Sequence, residues 1–224
     1  MNSTPEVILI PWDPLSEPHR ILLFKQRVEC SWDMEKVHTI WRDEQIRGEK
    51  CIYWIALRSD DFVRGGREKL VDTAVSINAA TCQPTQTGFT PIGHISLDLK
   101  NKEAEKMDLE IPSEKVFWIK NLFILHNLQG KGIGRAAMDE LERIAVREPL
   151  GARTLMLDTV ERGDQLREEF AKATYGGVRK FTTQDWYIRR GYRSLKIIQN
   201  FYDIKDKNGK KWDTKTIFMR KDLP

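Results

Sequence analysis

Short apolar runs and stretches of three-to-four spacing take turns along this chain, the pattern of strands alternating with amphipathic helices. Residues 6–10 (EVILI) read as a strand closed by Pro11. Residues 18–30 carry Ile21, Leu22, Leu23, Phe24 and Val28, an apolar helical face. Residues 33–49 repeat that spacing with Met34, Val37, Ile40, Trp41 and Ile46; Asp33 is the expected N-cap and Gly48 lies near the stop. Residues 51–57 (CIYWIAL) read as a buried strand. The polar connection 58–90 follows, with a short helix expected around 68–77; connections of this length are usually functional or mobile. Residues 91–99 alternate, with Ile92, His94, Ser96 and Asp98 on one face and Ile95, Leu97 and Leu99 on the other. A strand is expected over 115–125 and a helix over 131–148, whose inner stripe is Ile133, Ala137, Leu141 and Ile144. A strand over 153–160, a helical stretch over 165–174 and a helix over 184–190 ended by Gly191 come next. Segments 194–204 and 212–219 form a final hairpin about 207–209.

One junction in this pattern carries chemistry. The strand over 115–125 runs into Gly130, Gly132 and Gly134, with Gln129 ahead of them and Lys131 and Arg135 among them, and a long helix opens there. Glycine lacks the Cβ that would keep a ligand away from the backbone. The first N–H groups of a helix have no internal partner, and the helix dipole adds about half a positive charge at that end. An anion site follows, and spacing decides which anion. No glycine is followed by Lys-Ser or Lys-Thr as the Walker A loop requires. The dinucleotide pattern G-x-G-x-x-G fails at its third glycine, where Arg135 stands. What remains is Gln-x-x-Gly-x-Gly, Gln129 to Gly134. The alternative is a plain connecting turn, disfavoured because three alternating glycines beside a helix start weaken folding.

Gln-x-x-Gly-x-Gly after a strand and before a helix resembles the acetyl-CoA motif of the GCN5-related N-acetyltransferases (GNAT), whose last position is Gly or Ala. The order of elements is similar to that family's fold over nearly the whole chain. The resemblance implies an α/β fold with a mixed, mostly antiparallel central sheet flanked by helices, as a single domain over 1–224. One departure from the family pattern is an insertion over 161–183, between the fifth strand and the following helix, to be read equally as a surface excursion or a substrate lid. In this family the turn cradles the pyrophosphate of coenzyme A, which assigns Gln129, Gly130, Lys131, Gly132, Ile133, Gly134 and Arg135 to the donor. Backbone of Leu122, Phe123, Ile124 and Leu125 would pair with the pantetheine, and one N–H there would polarise the thioester carbonyl, an effect worth roughly 3 kcal/mol. Asp158, Thr159 and Val160 would line the other wall of the slot.

A second family landmark is WYIRRGY, residues 186–192, where Tyr187 stands at the tyrosine that lies near the coenzyme A sulfur. A phenol of pKa about 10 is able to hydrogen-bond or protonate a leaving thiolate whose thiol has a pKa near about 8.5. A core tyrosine ending a helix is the plainer alternative, outweighed by the glycine turn upstream. The amine must be neutral to attack, so a base is expected. Histone-type members carry a glutamate where this chain has Trp118. Asp158, Glu161, His94 and His126 remain; Asp158 is favoured, directly or through a water. Gln184 and Trp186 stand close enough in sequence to reach the acceptor, with core packing the safer reading of Trp186.

The resemblance thus implies acetyl transfer from acetyl-CoA, without a metal, to a primary amine by direct attack in a ternary complex. The missing strand glutamate and the long connections favour a small-molecule amine. A protein lysine or N-terminus, or a non-catalytic coenzyme A-binding module, are the alternatives, and a homodimer is common among relatives. Composition trims the partners further. Net charge is +4, from 37 basic and 33 acidic residues interspersed along the chain, too mild for nucleic acid. The basic cluster KDKNGKKW contains a turn signal and reads as a hairpin loop. No apolar run approaches the roughly 20 residues that span a bilayer, and the N-terminus lacks a signal-peptide pattern, so a cytoplasmic or nucleocytoplasmic protein is expected. Cys30, Cys51 and Cys82 have neither metal-ligand spacing nor a disulfide framework.

Overall fold

Runs of β-branched and aromatic residues become strands, and amphipathic stretches become helices, in the computed structural model, which describes residues 5–58, 67–206 and 208–223. The fold is mixed α/β, with mostly antiparallel strands flanked by helices. The chain divides into two compact units, Met1–Asn101 with Phe117–Ala152, and Lys102–Val116 with Arg153–Pro224.

The first unit contains β1 (Val7–Pro11), α1 (Glu17–Cys30), α2 (Trp41–Ile46), β2 (Ile52–Leu57), four two-residue strands, β3 (Leu70–Val71), β4 (Ser76–Ile77), β5 (Ala80–Thr81) and β6 (Gly88–Phe89), then β7 (Gly93–Asp98), β8 (Val116–Ile124) and α3 (Ile133–Val146). Strands β1, β2, β7 and β8 are antiparallel neighbours in that order. Ile52, Trp54 and Ala56 of β2 point into a core with Trp12, Leu23, Val37 and Trp41, on the side of α1. Helix α3 lies against β1 and β7 and buries Ile133, Ala137, Met138, Leu141 and Ala145. All of β2 and β7 is buried.

Several expectations are corrected here. Pro11 belongs to β1, pairing with Tyr53; β1 has a neighbour on one side, where a missing N–H is tolerated. The helix expected over 33–49 is broken: a 3-10 turn spans Met34–Val37 and α2 begins at Trp41. Asp33 has φ 51° and makes no side-chain cap, and Ile40 and Ile46 are exposed. No helix forms at 68–77. Instead β3 pairs with β6 and β4 with β5, the latter through Asn78 and Ala79 at φ 54° and 58°, the left-handed pair of a two-residue hairpin turn. That turn rests on Gly48, where a Cβ would stand 2.4 Å from the Ala79 nitrogen, and Asn78 Nδ2 donates to the Tyr53 hydroxyl at 2.8 Å. Part of the 58–90 connection, 59–66, lies outside the described residues.

The second unit contains β9 (Thr154–Val160), α4 (Arg162–Leu166), α5 (Glu168–Tyr175), α6 (Thr183–Arg189), β10 (Arg193–Gln199) and β11 (Lys215–Asp222). Strand β11 lies between β9 and β10, antiparallel to both. The helical stretch expected over 165–174 is two helices that meet at Arg167. Phe170 of α5 is fully buried, its ring 5.6 Å from that of Trp212. Thr182 caps α6 by accepting from the Asp185 N–H, and Gly191, at φ 89°, ends it. The first strand of the last hairpin is shorter than expected and the second keeps its expected length but starts three residues later, with 200–214 forming the connection.

Candidate active site

Strand β8 does not run straight into the glycine turn. His94 faces Phe123 across the ladder but Ser96 faces Lys120, so β8 carries one extra residue. Asn121, at φ 57°, is at this bulge. Its Nδ2 donates to Ser96 Oγ at 3.3 Å, and Ser96 Oγ donates to the Lys120 carbonyl at 3.2 Å. The bulge lifts backbone out of the ladder immediately before Leu122. Sequence reasoning missed it; the available signal was an asparagine, a residue tolerant of the left-handed region, inside an apolar strand. Beneath the bulge Lys50 Nζ lies 2.7 Å from Asp98 Oδ2, 3.5 Å from Ser96 Oγ and 4.7 Å from the centre of the Trp41 ring. The lysine and the aspartate are both buried.

Beyond Ile124 a 3-10 turn, His126–Leu128, leads to the glycines. Gln129 Nε2 donates to the Ile124 carbonyl at 2.9 Å, tying the turn back to the strand end. Gly130 and Gly132 have φ of 76° and 82°, and Gly132 is the N-cap of α3. The first helical bond runs from the Ala136 N–H to the Gly132 carbonyl, which leaves the N–H groups of Gly132, Ile133, Gly134 and Arg135 as the orphan donors of the helix start. A Cβ on Gly130 would meet no described atom within 4 Å. Lys131 and Arg135 are exposed beside these donors. Open space, four orphan N–H groups and two cations fit a pyrophosphate.

His94 is built into the core, whereas His126 lies at the surface beside Glu29. His94 is fully buried; its Nε2 accepts from Arg27 Nη1 at 3.3 Å and its Nδ1–H donates to Gln26 Oε1 at 2.8 Å. Burial, then the charges of Arg27 and Lys50, hold it well below the usual imidazole pKa. It faces α1 and has no approach from solvent. His126 is exposed, with Nδ1 3.1 Å from Glu29 Oε1. Trp118 is 3 % exposed, a packed indole where histone-type members carry a glutamate.

In the second unit, Tyr187 on α6 is buried between the rings of Trp186 and Tyr192, at 5.0 and 5.8 Å. Burial, then the negative charge of Asp158, push its phenol well above the usual tyrosine range, so it is protonated at neutral pH. Asp158 Oδ2 accepts from the Tyr202 hydroxyl at 2.9 Å; Tyr202 was not foreseen. Thr159 Oγ1 donates to Thr183 Oγ1 at 3.3 Å. Glu161 serves as the N-cap of α4, accepting from the Gly163 N–H at 2.8 Å. Among the described residues no group of three His, Cys, Asp or Glu side chains gathers as a metal site, and no helix is long and apolar enough to cross a membrane.

A bulged strand that leads into a glycine turn at a helix start is suited to a phosphate-bearing acyl donor laid along the strand. The Acetyltransferase (GNAT) family matches residues 23–175, and the chain belongs to that family of N-acetyltransferases, which use acetyl-CoA. No curated protein sequence is significantly similar to it. Solved structures share its fold at low identity. An aminoglycoside 6'-N-acetyltransferase complexed with coenzyme A has 16 % identity and a TM-score of 0.52, over 97 % of this chain and 98 % of that one. Arabidopsis thaliana NAA60 in complex with a bisubstrate analogue has 12 % identity and a TM-score of 0.57, over 97 % and 99 %. A spermidine N-acetyltransferase SpeG chimera from Vibrio cholerae and hSSAT has 11 % identity and a TM-score of 0.53, over 97 % and 95 %.

Proposed function

We propose that the whole chain works as one domain that acetylates a primary amine of a small molecule, by direct attack on acetyl-CoA in a ternary complex. The observation that carries this reading is the Asn121 bulge followed by the Gly130–Gly132 turn and the orphan N–H groups of α3. Backbone N–H groups from Gly130 to Arg135 hold the pyrophosphate, with Lys131 and Arg135 adding charge and Gln129 bracing the turn. Backbone of Leu122 to Leu125 pairs with the pantetheine, and one N–H there receives the negative charge that builds on the carbonyl oxygen. Asp158, kept in place by Tyr202, takes the proton that the nitrogen loses as the C–N bond forms and the C–S bond breaks; Thr159 lines the slot beside it. Tyr187 hydrogen-bonds the leaving sulfur. Its raised pKa suits it to donate that bond while keeping its proton, because full transfer to a thiolate of conjugate pKa near about 8.5 is uphill. The sulfur therefore leaves as a thiolate held by that bond, and the proton that Asp158 has taken from the nitrogen balances its negative charge until coenzyme A is released as the thiol.

The small-molecule assignment follows from the buried Trp118, which removes the strand carboxylate of histone-type members. Spermidine and aminoglycoside N-acetyltransferases share the fold, as does NAA60, so small amines are among the acceptors this fold accommodates and Trp118 carries the choice. Tyr187→Phe tests the chemistry: turnover should fall by about tenfold or more while the melting-temperature rise with acetyl-CoA is kept. Unchanged turnover removes Tyr187 from the reaction.

A further inference from the structure

Helix α4 buries a glutamine. Gln165 is 6 % exposed, and both ends of its amide are bonded. Nε2 donates to the carbonyl of Val160, the last residue of β9. Oε1 accepts from the N–H of Thr183 at 2.8 Å and from its hydroxyl at 2.7 Å, at the first residue of α6. The Thr183 hydroxyl in turn accepts from Thr159. Arg162 doubles the connection: its N–H donates to Gln184 Oε1 at 2.7 Å, and its guanidinium lies 3.5 Å from Asp185 Oδ1. The segment that supplies Gln165 is itself anchored. Asp164 Oδ2 accepts from the Lys215 N–H at 2.6 Å, Arg167 donates to the Asp213 carbonyl at 2.9 Å, and Phe170 is buried against Trp212.

We propose that Gln165 is a positioning residue: it locks the first turn of α6 to the end of β9 and thereby sets where Tyr187 stands relative to Asp158. Tyr187 lies four residues beyond Thr183, one helical turn along the same face. A tilt of α6 at its first turn moves the phenol, and small misplacements of a reacting group are costly in rate. Residues 161–183 are on this account neither a loose excursion nor a lid but a brace for two walls of the reaction slot. The catalytic part rests on the role proposed above for Tyr187; the brace itself does not.

The test uses the full chain with Gln165→Leu. Hydrogen exchange over residues 183–190, measured without ligand, should quicken by about tenfold or more. With spermidine or an aminoglycoside as acceptor, kcat should fall by about tenfold while KM for acetyl-CoA stays within about twofold. Gln165→Glu keeps the oxygen that Thr183 donates to and should recover part of both losses. If the leucine variant does not fold, Thr183→Val deletes one hydroxyl and should show the same signs more weakly. Wild-type exchange over 183–190 in a folded variant overturns the brace, whatever the acceptor. Faster exchange with unchanged kcat, in an enzyme that Tyr187→Phe impairs, overturns the positioning of Tyr187. Faster exchange in an enzyme indifferent to Tyr187→Phe leaves the brace standing and overturns the role given to Tyr187.

Discussion

Exchanging Gly132 and Gly134 for alanine, one at a time, pulls apart two reasons for glycine at a helix start. Gly132 sits at φ 82°, where an L side chain costs about 1–2 kcal/mol, and its new Cβ would lie 3.5 Å from Pro5 Cδ, an ordinary contact that adds no clash. For a chain of this size about 1 kcal/mol corresponds to roughly 2–4 °C, so Gly132→Ala should lower the melting temperature by about 2–8 °C. Gly134 is the second residue of α3, and its new Cβ would meet Ile124 Cγ1 at 3.9 Å. Alanine is favoured over glycine in a helix by up to about 1 kcal/mol, so Gly134→Ala should raise the melting temperature by about 1–4 °C. Acetyl-CoA at about 100 times its dissociation constant adds about 2.7 kcal/mol to the native state, and this rise reads out the ligand. Gly134→Ala should keep it, since the family motif takes Gly or Ala at that position. Gly132→Ala should shrink it, because a side chain in the left-handed region strains the turn whose N–H groups form the proposed pyrophosphate site. Thermal unfolding of both variants with and without acetyl-CoA is the assay. A Gly132→Ala protein that melts like the wild type and keeps the full rise refutes the reasoning, as does a Gly134→Ala protein that melts lower.

Two further outcomes follow from buried polar groups. Asp98→Ala leaves Lys50 buried without its 2.7 Å partner and should destabilise by about 3–5 kcal/mol in denaturant unfolding, against a smaller loss for Asp98→Asn; a loss under about 1 kcal/mol for the alanine would contradict the pairing. Stability should also fall in mild acid. His19 accepts on Nδ1 from the Trp54 Nε1–H at 3.1 Å and donates from Nε2 to the Val71 carbonyl at 2.9 Å, and burial lowers its pKa as it does that of His94. A histidine depressed in the folded state contributes stability that is complete above the unfolded value of about 6.5 and is lost as pH falls below it. Denaturation midpoints from pH 8 to pH 5 should decline, and His19→Gln should flatten part of that slope; a flat wild-type profile would be inconsistent.

Periodicity made the main strands and α3 legible because their apolar stripes are long and both faces of β2 and β7 are covered. It misread 33–49, where Ile40 and Ile46 continue the spacing but are exposed, and Asp33 enters the left-handed region instead of capping. It misread 68–77, since an Asn-Ala turn lacks the Asn-Gly signature and its fit depends on Gly48, distant in sequence. The glycine turn was legible because spacing constrains it. The Asn121 bulge, the Lys50–Asp98 pair and the Tyr202 bond to Asp158 were not, because each joins residues whose proximity exists only after folding. The alternation around His94 suggested one polar face, yet that face meets Gln26, Arg27 and Lys50, which satisfy it inside the protein.

Thiol release from acetyl-CoA, measured with the full chain across small amines, lysine peptides and N-terminal peptides, with mass spectrometry of the acceptor, tests the central claim most directly. The account predicts amine-dependent release, with the acetyl group found on a small-molecule amine. A protein that acetyl-CoA stabilises but that releases no thiol with any acceptor is a coenzyme A-binding module, and one that acetylates peptides alone contradicts the small-molecule assignment.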